Sequence, residues 1–412
     1  MLQPVGVGHK ALADYTHLVG RSLYDEIVGL ADGLEGLKVL HLSATAFGGG
    51  VSELLYSVVP LMREVGIDAH WKVIIGREEF FNATKLLHNA LQGNPLDLSP
   101  TEWRTWEEYN EMNADLLDGG WDVVIVHDPQ PAAVRRHVPD KARNWVWRCH
   151  IDLSVPHPPT IDRLVPIIAD YDAFLFHMPQ YVPESLDGDS DAVHIVPPAI
   201  DPLSPKNMAL SPEDAAFVCD QFGVNVDRPL MCQVSRFDPW KDPIGVIDAY
   251  REVREQRSDV QLALVGSMAT DDPEGWEFFN STMEHADGDP DIKILNNLNN
   301  VGAIEVNAFQ SQADVVIQKS TREGFGLTVS EALWKARPFV GGHVGGIPLQ
   351  IDDGASGYLV SSPAECADRT LRILAEPELG KRLGRAGKEH VRTHFLTPRL
   401  LRDWLGIFRK LA

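Results

Sequence analysis

Three consecutive glycines in the first quarter of the chain could bring backbone amides against a ligand. They form Phe47-Gly-Gly-Gly50, between an apolar run and an amphipathic stretch, which is the pattern of a strand followed by a helix. Glycine has no Cβ, so its backbone can approach a ligand closely, and the helix N-terminus adds positive potential. The segment matches neither GxGxxG nor GxxxxGK(S/T), so a nicotinamide or Walker-type ATP site is not indicated. A tight turn is the structural alternative, but we expect Gly49 and Gly50 to contact a phosphate or a sugar hydroxyl.

A basic loop in the second half of the chain could bind an anion. Arg236 and Lys241 follow the apolar run at 230–235. Ligands of open α/β sheets sit outside the carboxyl ends of the strands. A guanidinium fork and an ammonium point charge at that edge would together suit a diphosphate. Basic residues in a loop are usually only solvated, so it is the position after a strand that supports this interpretation.

A second glycine loop carries two glutamates. In the segment 322–331, Glu323 directly precedes the loop and Glu331 lies about one turn into the helix that follows. We expect this helix to begin near Leu327, so that the Leu327 and Thr328 amides can receive a phosphate. Glu331 would then reach the hydroxyls of a ribose. An ordinary helix with an acidic first turn shows the same residues, but the basic loop at the same sheet edge favours a nucleoside diphosphate.

Polar side chains also follow two predicted strands of the first half. Asp128 and Gln130 come after one apolar run, and His150 and Asp152 come after the next. Because the carboxyl ends of parallel strands meet at one edge of a sheet, these four side chains are predicted to face a cleft. Such a group could hold a polyhydroxylated acceptor. A lone histidine is more often structural, but two strand ends that each carry His and Asp favour a site.

These motifs have to be positioned by two series of alternating strands and helices. Short apolar runs alternate with longer amphipathic stretches, which is typical of crossover helices in parallel sheets. The predicted strands are 38–42, 70–75, 122–127, 144–150, 173–177 and 194–196 in the first half, and 230–235, 261–266, 292–295, 314–318 and 338–342 in the second. The predicted helices are 51–65, 243–255, 303–312, 326–335 and 398–411.

Two stretches depart from this rhythm. Residues 94–119 are polar and contain Trp103 and Trp106, and we predict a helical region that packs on the sheet rather than an aromatic ligand cage. Residues 196–205 contain four prolines in ten residues, which predicts a semi-rigid connector. We therefore place a first domain at 1–205, a second at 206–395 and a final helix, 396–412, that packs back on the first domain.

The composition restricts the classes of function. Lys and Arg total 37 against 59 Asp and Glu in 412 residues, so the formal net charge is −22. This acidity argues against binding to nucleic acids or anionic membranes, which rely on basic surfaces. No apolar run approaches the roughly 20 residues that span a bilayer, and no signal peptide is indicated. We expect a cytoplasmic protein with reduced cysteines and no metal site, since His390 and His394 lack a third ligand.

Together, these motifs resemble the retaining glycosyltransferases of family four, which have the GT-B architecture. Glu323 and Glu331, with seven residues between them, match the paired-glutamate motif of that family, and Arg236 and Lys241 match its diphosphate-binding pair. The resemblance extends to the branch that synthesises trehalose. The segments that carry this finer resemblance are 41–50, 127–131, 147–152, 176–180, 233–242 and 318–334.

The sequence departs from the general family pattern at two positions. Lys319 stands where proline is common, and Ala336 stands where glycine is. We expect these differences to change the detail of the loops rather than to abolish activity.

The resemblance implies an α/β fold of two Rossmann-like domains whose parallel sheets face an interdomain cleft. It also implies transfer of glucose from ADP- or UDP-glucose to free glucose, which yields α,α-trehalose with retention. In that front-face mechanism the leaving phosphate oxygen takes the proton of the acceptor. Related alternatives are a retaining trehalose phosphorylase and a sucrose-type synthase with a different acceptor. A catalytically silent sugar-nucleotide sensor is the alternative from another class.

The expected partners are small-molecule substrates, with no nucleic acid, no membrane and no tightly bound cofactor. The sequence does not imply Mg²⁺, and it leaves a homodimer open. The predicted catalytic residues are Glu323, Arg236, Lys241 and His150. The predicted donor-binding residues are Gly49, Gly50, Arg236, Lys241, Glu323, Gly324, Phe325, Gly326, Leu327, Thr328 and Glu331. The predicted acceptor-binding residues are Asp128, Gln130, His150 and Asp152.

Overall fold

The computed structural model of the chain describes residues 1–186, 191–268 and 273–411. The chain divides into two compact units, Met1–Ala199 with Thr397–Ala412, and Ile200–Leu396. Residues 200–205 belong to the second unit, because the Ile200 amide donates to the Phe395 carbonyl and Ile200 forms a β-bridge with Leu396.

Within the described residues, the first unit contains a seven-stranded sheet. In chain order its strands are β1 (Gln3–Pro4), β2 (Lys38–Ser43), β3 (Asp68–Val73), β4 (Trp121–His127), β5 (Ala142–Arg148), β6 (Ala173–Phe176) and β7 (Val193–Ile195). Their order across the sheet is β1-β3-β2-β4-β5-β6-β7. Neighbouring strands are parallel except at the edge, where β1 pairs antiparallel with β3.

Both faces of this sheet are buried under helices. Successive side chains of a strand point to opposite faces, so Val39 packs in one apolar cluster while Leu40 and Leu42 pack in the other. The helices of the unit up to the connector are α1 (Thr16–Val19), α2 (Arg21–Ala31), α3 (Gly50–Glu64), α4 (Glu78–Leu91), α5 (Pro100–Leu116), α6 (Val134–His137) and α7 (Pro158–Ile168). Helices α2 and α3 cover the Val39 face, and α4, α5 and α7 cover the other.

The described part of the second unit contains a six-stranded sheet, parallel throughout. Its strands are β8 (Leu230–Val234), β9 (Gln261–Val265), β10 (Ile292–Leu295), β11 (Val315–Gln318), β12 (Phe339–Gly342) and β13 (Tyr358–Val360). They are arranged in the order β10-β9-β8-β11-β12-β13. This is the 3-2-1-4-5-6 order of the Rossmann fold.

Seven helices accompany this sheet in the described residues. They are α8 (Pro212–Gln221), α9 (Pro243–Gln256), α10 (Pro273–Ala286), α11 (Ala303–Gln312), α12 (Leu327–Trp334), α13 (Pro363–Ala375) and α14 (Pro377–His394). The last helix, α15 (Thr397–Leu411), belongs to the first unit, where Trp404 and Phe408 pack in the same apolar cluster as Ile27 of α2 and Leu55 of α3. Among the described helices, none is long and apolar enough to cross a membrane.

The cysteines are free thiols, as expected for reduced core residues. Cys149, Cys219, Cys232 and Cys366 are all buried and unbridged. Burial raises the pKa of the Cys219 and Cys366 thiols to about 12. A thiol that resists ionisation is a poor nucleophile and metal ligand, so the cysteines serve packing.

In each sheet the strand order reverses at one point. In the first unit this switch point lies between β2 and β4, and in the second between β8 and β11. Loops that leave neighbouring strands in opposite directions open a crevice at the carboxyl edge, where ligands of such sheets bind. The glycine loop and the Asp128 loop follow β2 and β4, while the basic loop and the Glu323 loop follow β8 and β11. Four of the five predicted binding segments therefore lie at switch points, and the fifth, with His150 and Asp152, follows the neighbouring strand β5.

Most predicted elements are confirmed, with shifts at their ends. Strand Ile292–Leu295 and helix Ala303–Gln312 have the predicted bounds. Strand β5 ends at Arg148, two residues before the predicted end, because the His150 amide donates to the Asp128 side chain instead of continuing the ladder. Strands β1 and β13 were not predicted, because with two and three residues they offer little periodicity to recognise.

Close packing at the end of β12 supports the Glu323 loop. A Cβ added at Gly342 would lie 2.2 Å from the Ser320 carbonyl oxygen, so a larger side chain must displace backbone. We expect Gly342→Ala to destabilise the second unit by about 1–3 kcal/mol, measured by thermal or urea unfolding. Gly8→Ala is the matched control, because its added Cβ meets no atom within 4 Å. Equal unfolding curves for the two variants would show that β12 does not constrain this loop.

Candidate active site

The glycine loop between β2 and α3 leaves open space beside its backbone. Gly48 has a φ of 80°, which favours glycine, and Gly49 is extended at the start of the helix. The Ser52 hydroxyl donates to the Gly49 carbonyl at 2.7 Å and fixes this first turn. A Cβ added at Gly49 would meet no protein atom within 4 Å. The protein itself therefore does not fill this space, and a ligand can approach the Gly49 and Gly50 backbone.

A cavity of about 140 Å³ lies at the switch point of the first unit. It is lined by residues of the loops after β2 and β4: Ser43, Ala44, Thr45, Phe47, Gly48, Gly49, Gly50, Val51, Ser52, His127, Asp128 and Gln130. The structure thus brings the predicted residues Gly49 and Gly50 together with Asp128 and Gln130. His150 and Asp152 are not part of its lining.

Asp128 places a half-buried carboxyl group in the lining of this cavity. Its backbone has a φ of 65°, a conformation that Asp and Asn adopt more readily than most residues. The Asp128 Oδ1 accepts the His150 amide at 2.7 Å. Burial raises the pKa of Asp128 to about 7, and the His150 amide and the Arg148 charge oppose that rise. Asp128 can therefore either donate or accept a hydrogen bond near neutral pH.

Gln130 is held in place by the Trp-rich helix α5. Its carbonyl accepts from Trp106 Nε1 at 3.1 Å and from Asn110 Nδ2 at 3.0 Å. Trp103 and Trp106 are buried in the core, so the prediction of a packing helix rather than an aromatic cage is confirmed. The side-chain Oε1 of Gln130 is buried and has no hydrogen-bond partner among the described residues. A buried acceptor of this kind favours a ligand that donates a hydrogen bond.

His150 and Asp152 make local contacts behind the cavity. His150 Nε2 lies 2.8 Å from His127 Nδ1, and its Nδ1 lies 3.4 Å from His177 Nε2. Asp152 accepts from the Ser154 amide at 2.8 Å and from the Ser154 hydroxyl at 2.6 Å. His150 therefore connects to the cavity through His127, whereas Asp152 caps its own turn.

In the second unit, two of the three predicted catalytic charges are in contact. Lys241 Nζ donates to Glu323 Oε2 at 2.7 Å, and the Ser320 hydroxyl donates to the same oxygen at 3.3 Å. The two residues are 82 positions apart in the chain and both are mostly buried. The switch point between β8 and β11 is what brings them together.

Further contacts tie the same two loops to each other. The Thr321 amide donates to the Trp240 carbonyl at 2.8 Å, and Gln233 Nε2 donates to the Lys241 carbonyl at 2.7 Å. Lys319, which stands where proline is common in the family, is buried and forms an ion pair with Asp242. This departure therefore adds a contact beside Lys241, and neither Gln233 nor Lys319 was indicated by its sequence context.

Arg236 differs from Lys241 in its surroundings. Its side chain is 57% exposed, and its guanidinium pairs with Asp238 at 3.2 Å. An exposed guanidinium on a loop can change rotamer at small cost. The loop thus offers one fixed cation and one adjustable cation.

The loop after Glu323 is held by the start of α12 and by the side chain of Gln350. Gly326 has a φ of 82° and precedes α12, which begins at Leu327 as expected. The first amides of a helix have no intrahelical acceptor, so those of Leu327 and Thr328 suit an anion. Gln350 Nε2 donates to the Phe325 carbonyl at 2.5 Å, a support that the sequence analysis missed because 25 residues separate the two.

Glu331 is buried in α12 beside two lysines. Its Oε1 lies 3.4 Å from Lys206 Nζ, and its carbonyl accepts from Lys335 Nζ at 3.1 Å. Burial lowers the pKa of Lys335 to about 7, and the nearby Glu331 charge opposes that shift. Lys206 lies in the stretch after the proline-rich connector, where no signal marked it as a partner for Glu331.

No group of three or more His, Cys, Asp or Glu side chains is arranged to hold a metal ion in the parts of the chain that the structure describes.

Comparison with known proteins adds to this geometry. The family model "Trehalose synthase, N-terminal domain" matches residues 41–183, and "Glycosyl transferases group 1" matches residues 218–390. A trehalose synthase from Rubrobacter xylanophilus is 56% identical over 416 residues, covering 100% of this chain and 99% of that protein. A trehalose synthase from Thermococcus litoralis is 46% identical over 400 residues, covering 97% and 96%.

Among solved structures, the chain is similar to an α,α-trehalose-phosphate synthase (UDP-forming) from Burkholderia xenovorans in complex with glucose-6-phosphate. The TM-score is 0.71 at 14% identity, over 91% of this chain and 99% of the other. At that identity the likeness concerns the fold alone, which agrees with two Rossmann-like units of the GT-B class.

The raised pKa of Asp128 predicts how stability depends on pH. The folded state keeps this carboxyl protonated up to about pH 7, whereas the unfolded chain releases the proton near 4. The stability contributed by the protonated group is therefore present at low pH and lost as pH rises through 7. Asp128→Asn keeps the acceptor for the His150 amide but cannot ionise.

We expect the Tm of the wild type, relative to Asp128→Asn, to fall by about 5–10 °C between roughly pH 5 and pH 8. Asp140 is exposed and supplies the control. The difference in Tm between the wild type and Asp140→Asn should change little over the same pH range. A wild-type advantage that stays constant over this range would mean that Asp128 ionises normally in the folded protein.

Proposed function

The chain belongs to the group 1 glycosyl transferases that carry a trehalose synthase N-terminal domain, and we propose that it transfers glucose from ADP- or UDP-glucose to free glucose. The products would be α,α-trehalose and a nucleoside diphosphate, with retention at the transferred carbon. Family membership and the names of the relatives support trehalose-related glycosyl transfer. The donor, the acceptor and the stereochemistry are the parts that we propose.

The observation that carries the proposal is the contact of Lys241 with Glu323 at the switch point of the second unit. A diphosphate needs positive charge at the place where its own negative charge grows as the bond to glucose breaks. Lys241, Arg236 and the first amides of α12 supply such charge in one loop cluster. Glu323 would position the donor glucose by accepting hydrogen bonds from the hydroxyls of that glucose.

Glu331 favours a nucleoside over inorganic phosphate. A buried carboxylate one turn into α12 suits the paired hydroxyls of a ribose, and it would have no partner of this kind in a phosphorylase. We therefore assign the nucleotide to the second unit, with the diphosphate at the helix N-terminus.

The cavity of the first unit suits a sugar. Its lining offers the Gln130 Oε1 as an acceptor, the Asp128 carboxyl as an acceptor or donor, and the amides of the glycine loop as donors. Hydroxyls of glucose can pair with each of these groups. His150, which contacts His127 and Asp128, would act on the sugar beside them, whereas Asp152 caps its own turn and, within the described residues, makes no hydrogen bond to the cavity lining that would support its predicted role.

The proposed reaction needs no protein nucleophile. The bond between the glucose carbon and the phosphate oxygen breaks, and the C1 hydroxyl of the acceptor forms the new bond on the same face. The leaving phosphate oxygen takes the proton of that hydroxyl. The net charge of −22 does not oppose an anionic donor, because salt screens surface carboxylates beyond roughly 8 Å.

The identity of the products tests the proposal. We expect the purified protein, incubated with glucose and either ADP-glucose or UDP-glucose, to release the nucleoside diphosphate and α,α-trehalose in equal amounts. Chromatography and NMR of the disaccharide would identify both and show the anomeric configuration. A parallel incubation of trehalose with inorganic phosphate should yield no glucose 1-phosphate, and fructose should yield no sucrose. Free glucose or sucrose as the main product would refute the proposed reaction, and no turnover at all would favour a sensor.

A substitution at Glu323 tests the role of the contact with Lys241. Glu323→Gln keeps the size of the side chain but removes the charge, and we expect kcat to fall by about 100-fold or more, measured as released diphosphate. Glu277→Gln is the control, because Glu277 is exposed on α10, and should leave kcat unchanged. Wild-type turnover by Glu323→Gln would show that Glu323 does not act on the donor.

A further inference from the structure

Four histidines form a continuous chain along the carboxyl edge of the first sheet. His41 lies in β2, His127 ends β4, and His150 and His177 follow β5 and β6. These four strands are consecutive neighbours in the sheet. His41 and His127 fall on the same face of the sheet, since Val39 and Ile125, two residues before them, pack in the cluster beneath that face. His150 and His177 continue the row just beyond the ends of their strands.

The ring nitrogens face one another in sequence. His41 Nδ1 lies 3.0 Å from His127 Nε2, His127 Nδ1 lies 2.8 Å from His150 Nε2, and His150 Nδ1 lies 3.4 Å from His177 Nε2. In the first two pairs the ring planes are inclined by 27° and 19° and the ring centroids lie 5.2 and 5.1 Å apart. With nitrogens at 3.0 and 2.8 Å, this separation places the facing nitrogens between the two rings. The last pair is inclined by 72°, and its contact is the longest.

The inner end of the chain determines the direction of its hydrogen bonds. His41 Nε2 lies 3.4 Å from the Met62 sulfur, and a thioether can only accept. A hydrogen bond to this sulfur requires the His41 proton on Nε2, which leaves Nδ1 as an acceptor for His127 Nε2–H. The same logic passes along the chain, because a neutral imidazole has one donor and one acceptor. His127, His150 and His177 are then all protonated on Nε2.

Burial favours the neutral form of three of these rings, which agrees with the proposed order of donors and acceptors. The pKa of His41 falls to about 3 through burial, and burial also holds the pKa values of His127 and His150 well below their usual range. Arg148 adds to the effect on His127 and His150. A charged ring would have two donors and would break the sequence of donors and acceptors.

We propose that His41 and His127 are positioning residues that lock His150 in the Nε2-protonated form, with Nδ1 available as a hydrogen-bond acceptor for a sugar hydroxyl. This inference rests on the proposed function, in which His150 contributes to sugar binding. The long, inclined contact with His177 is the one that a hydroxyl can most readily replace. His150 also donates its backbone amide to Asp128. The row of four histidines therefore also holds the carboxyl group that lines the cavity.

Two substitutions at His127 separate a positioning role from simple packing. His127→Phe keeps an aromatic ring but removes both hydrogen bonds. His127→Gln keeps a donor for His41 and an acceptor for His150. We expect His127→Phe to lower kcat/KM for transfer to glucose by about 10- to 100-fold, and His127→Gln to recover most of that loss. Wild-type activity in His127→Phe would overturn the proposal.

The protonation of His150 can be observed without any turnover. In protein labelled with ¹⁵N-histidine, NMR should show His150 with a protonated Nε2 and an unprotonated Nδ1. Met62→Leu preserves apolar volume but removes the acceptor, so we expect a mixture of the two tautomers in this variant. A wild-type His150 protonated on Nδ1, or unchanged tautomers in Met62→Leu, would overturn the assigned direction. If the protein transferred no glucose, the proposed function would fail. The NMR result would still test the order of hydrogen bonds among the four histidines.

Discussion

The carboxyl ends of parallel strands meet at one edge of a sheet, and the strand order reverses once along that edge. In both units the candidate site depends on this constraint. Lys241 and Glu323 come from loops on either side of the switch between β8 and β11, and they touch although 82 residues separate them. The cavity beside Asp128 is formed in the same way between β2 and β4. Without the reversal these loops would lie over adjoining helices.

Polar groups at this edge are removed from water, and the structure compensates for their burial in two ways. Some groups are paired, as Lys319 is with Asp242, so that a buried charge keeps a partner. Others become less charged, as the raised pKa of Asp128 shows. Neutral histidines and a carboxyl that titrates near pH 7 suit hydroxyl recognition in the first unit. Paired charges and helix amides suit a diphosphate in the second.

Local patterns were enough to predict most of the strands, the start of α12 at Leu327 and the two loops that carry Lys241 and Glu323, since each depends on a motif of a few residues next to a strand. The histidine chain was missed, although His41 and His127 each stand two residues beyond an inward-facing strand position. The sequence shows which residues of a strand share a face, but it does not show which strands are neighbours. Support from Gln350 and Lys206 was missed for the same reason, because neither lies near its partner in the chain.

The sequence by itself determined the elements, the residue types at each strand end and the family resemblance, because these follow from short-range periodicity and spacing. Tertiary structure alone decided the sheet order, and with it which strand ends face each other. It also decided the raised pKa of Asp128 and the contact between His41 and Met62. The protonation state of a group depends on its burial and on its neighbours, and both are set by packing across many residues. The sequence supplies only the titratable group itself.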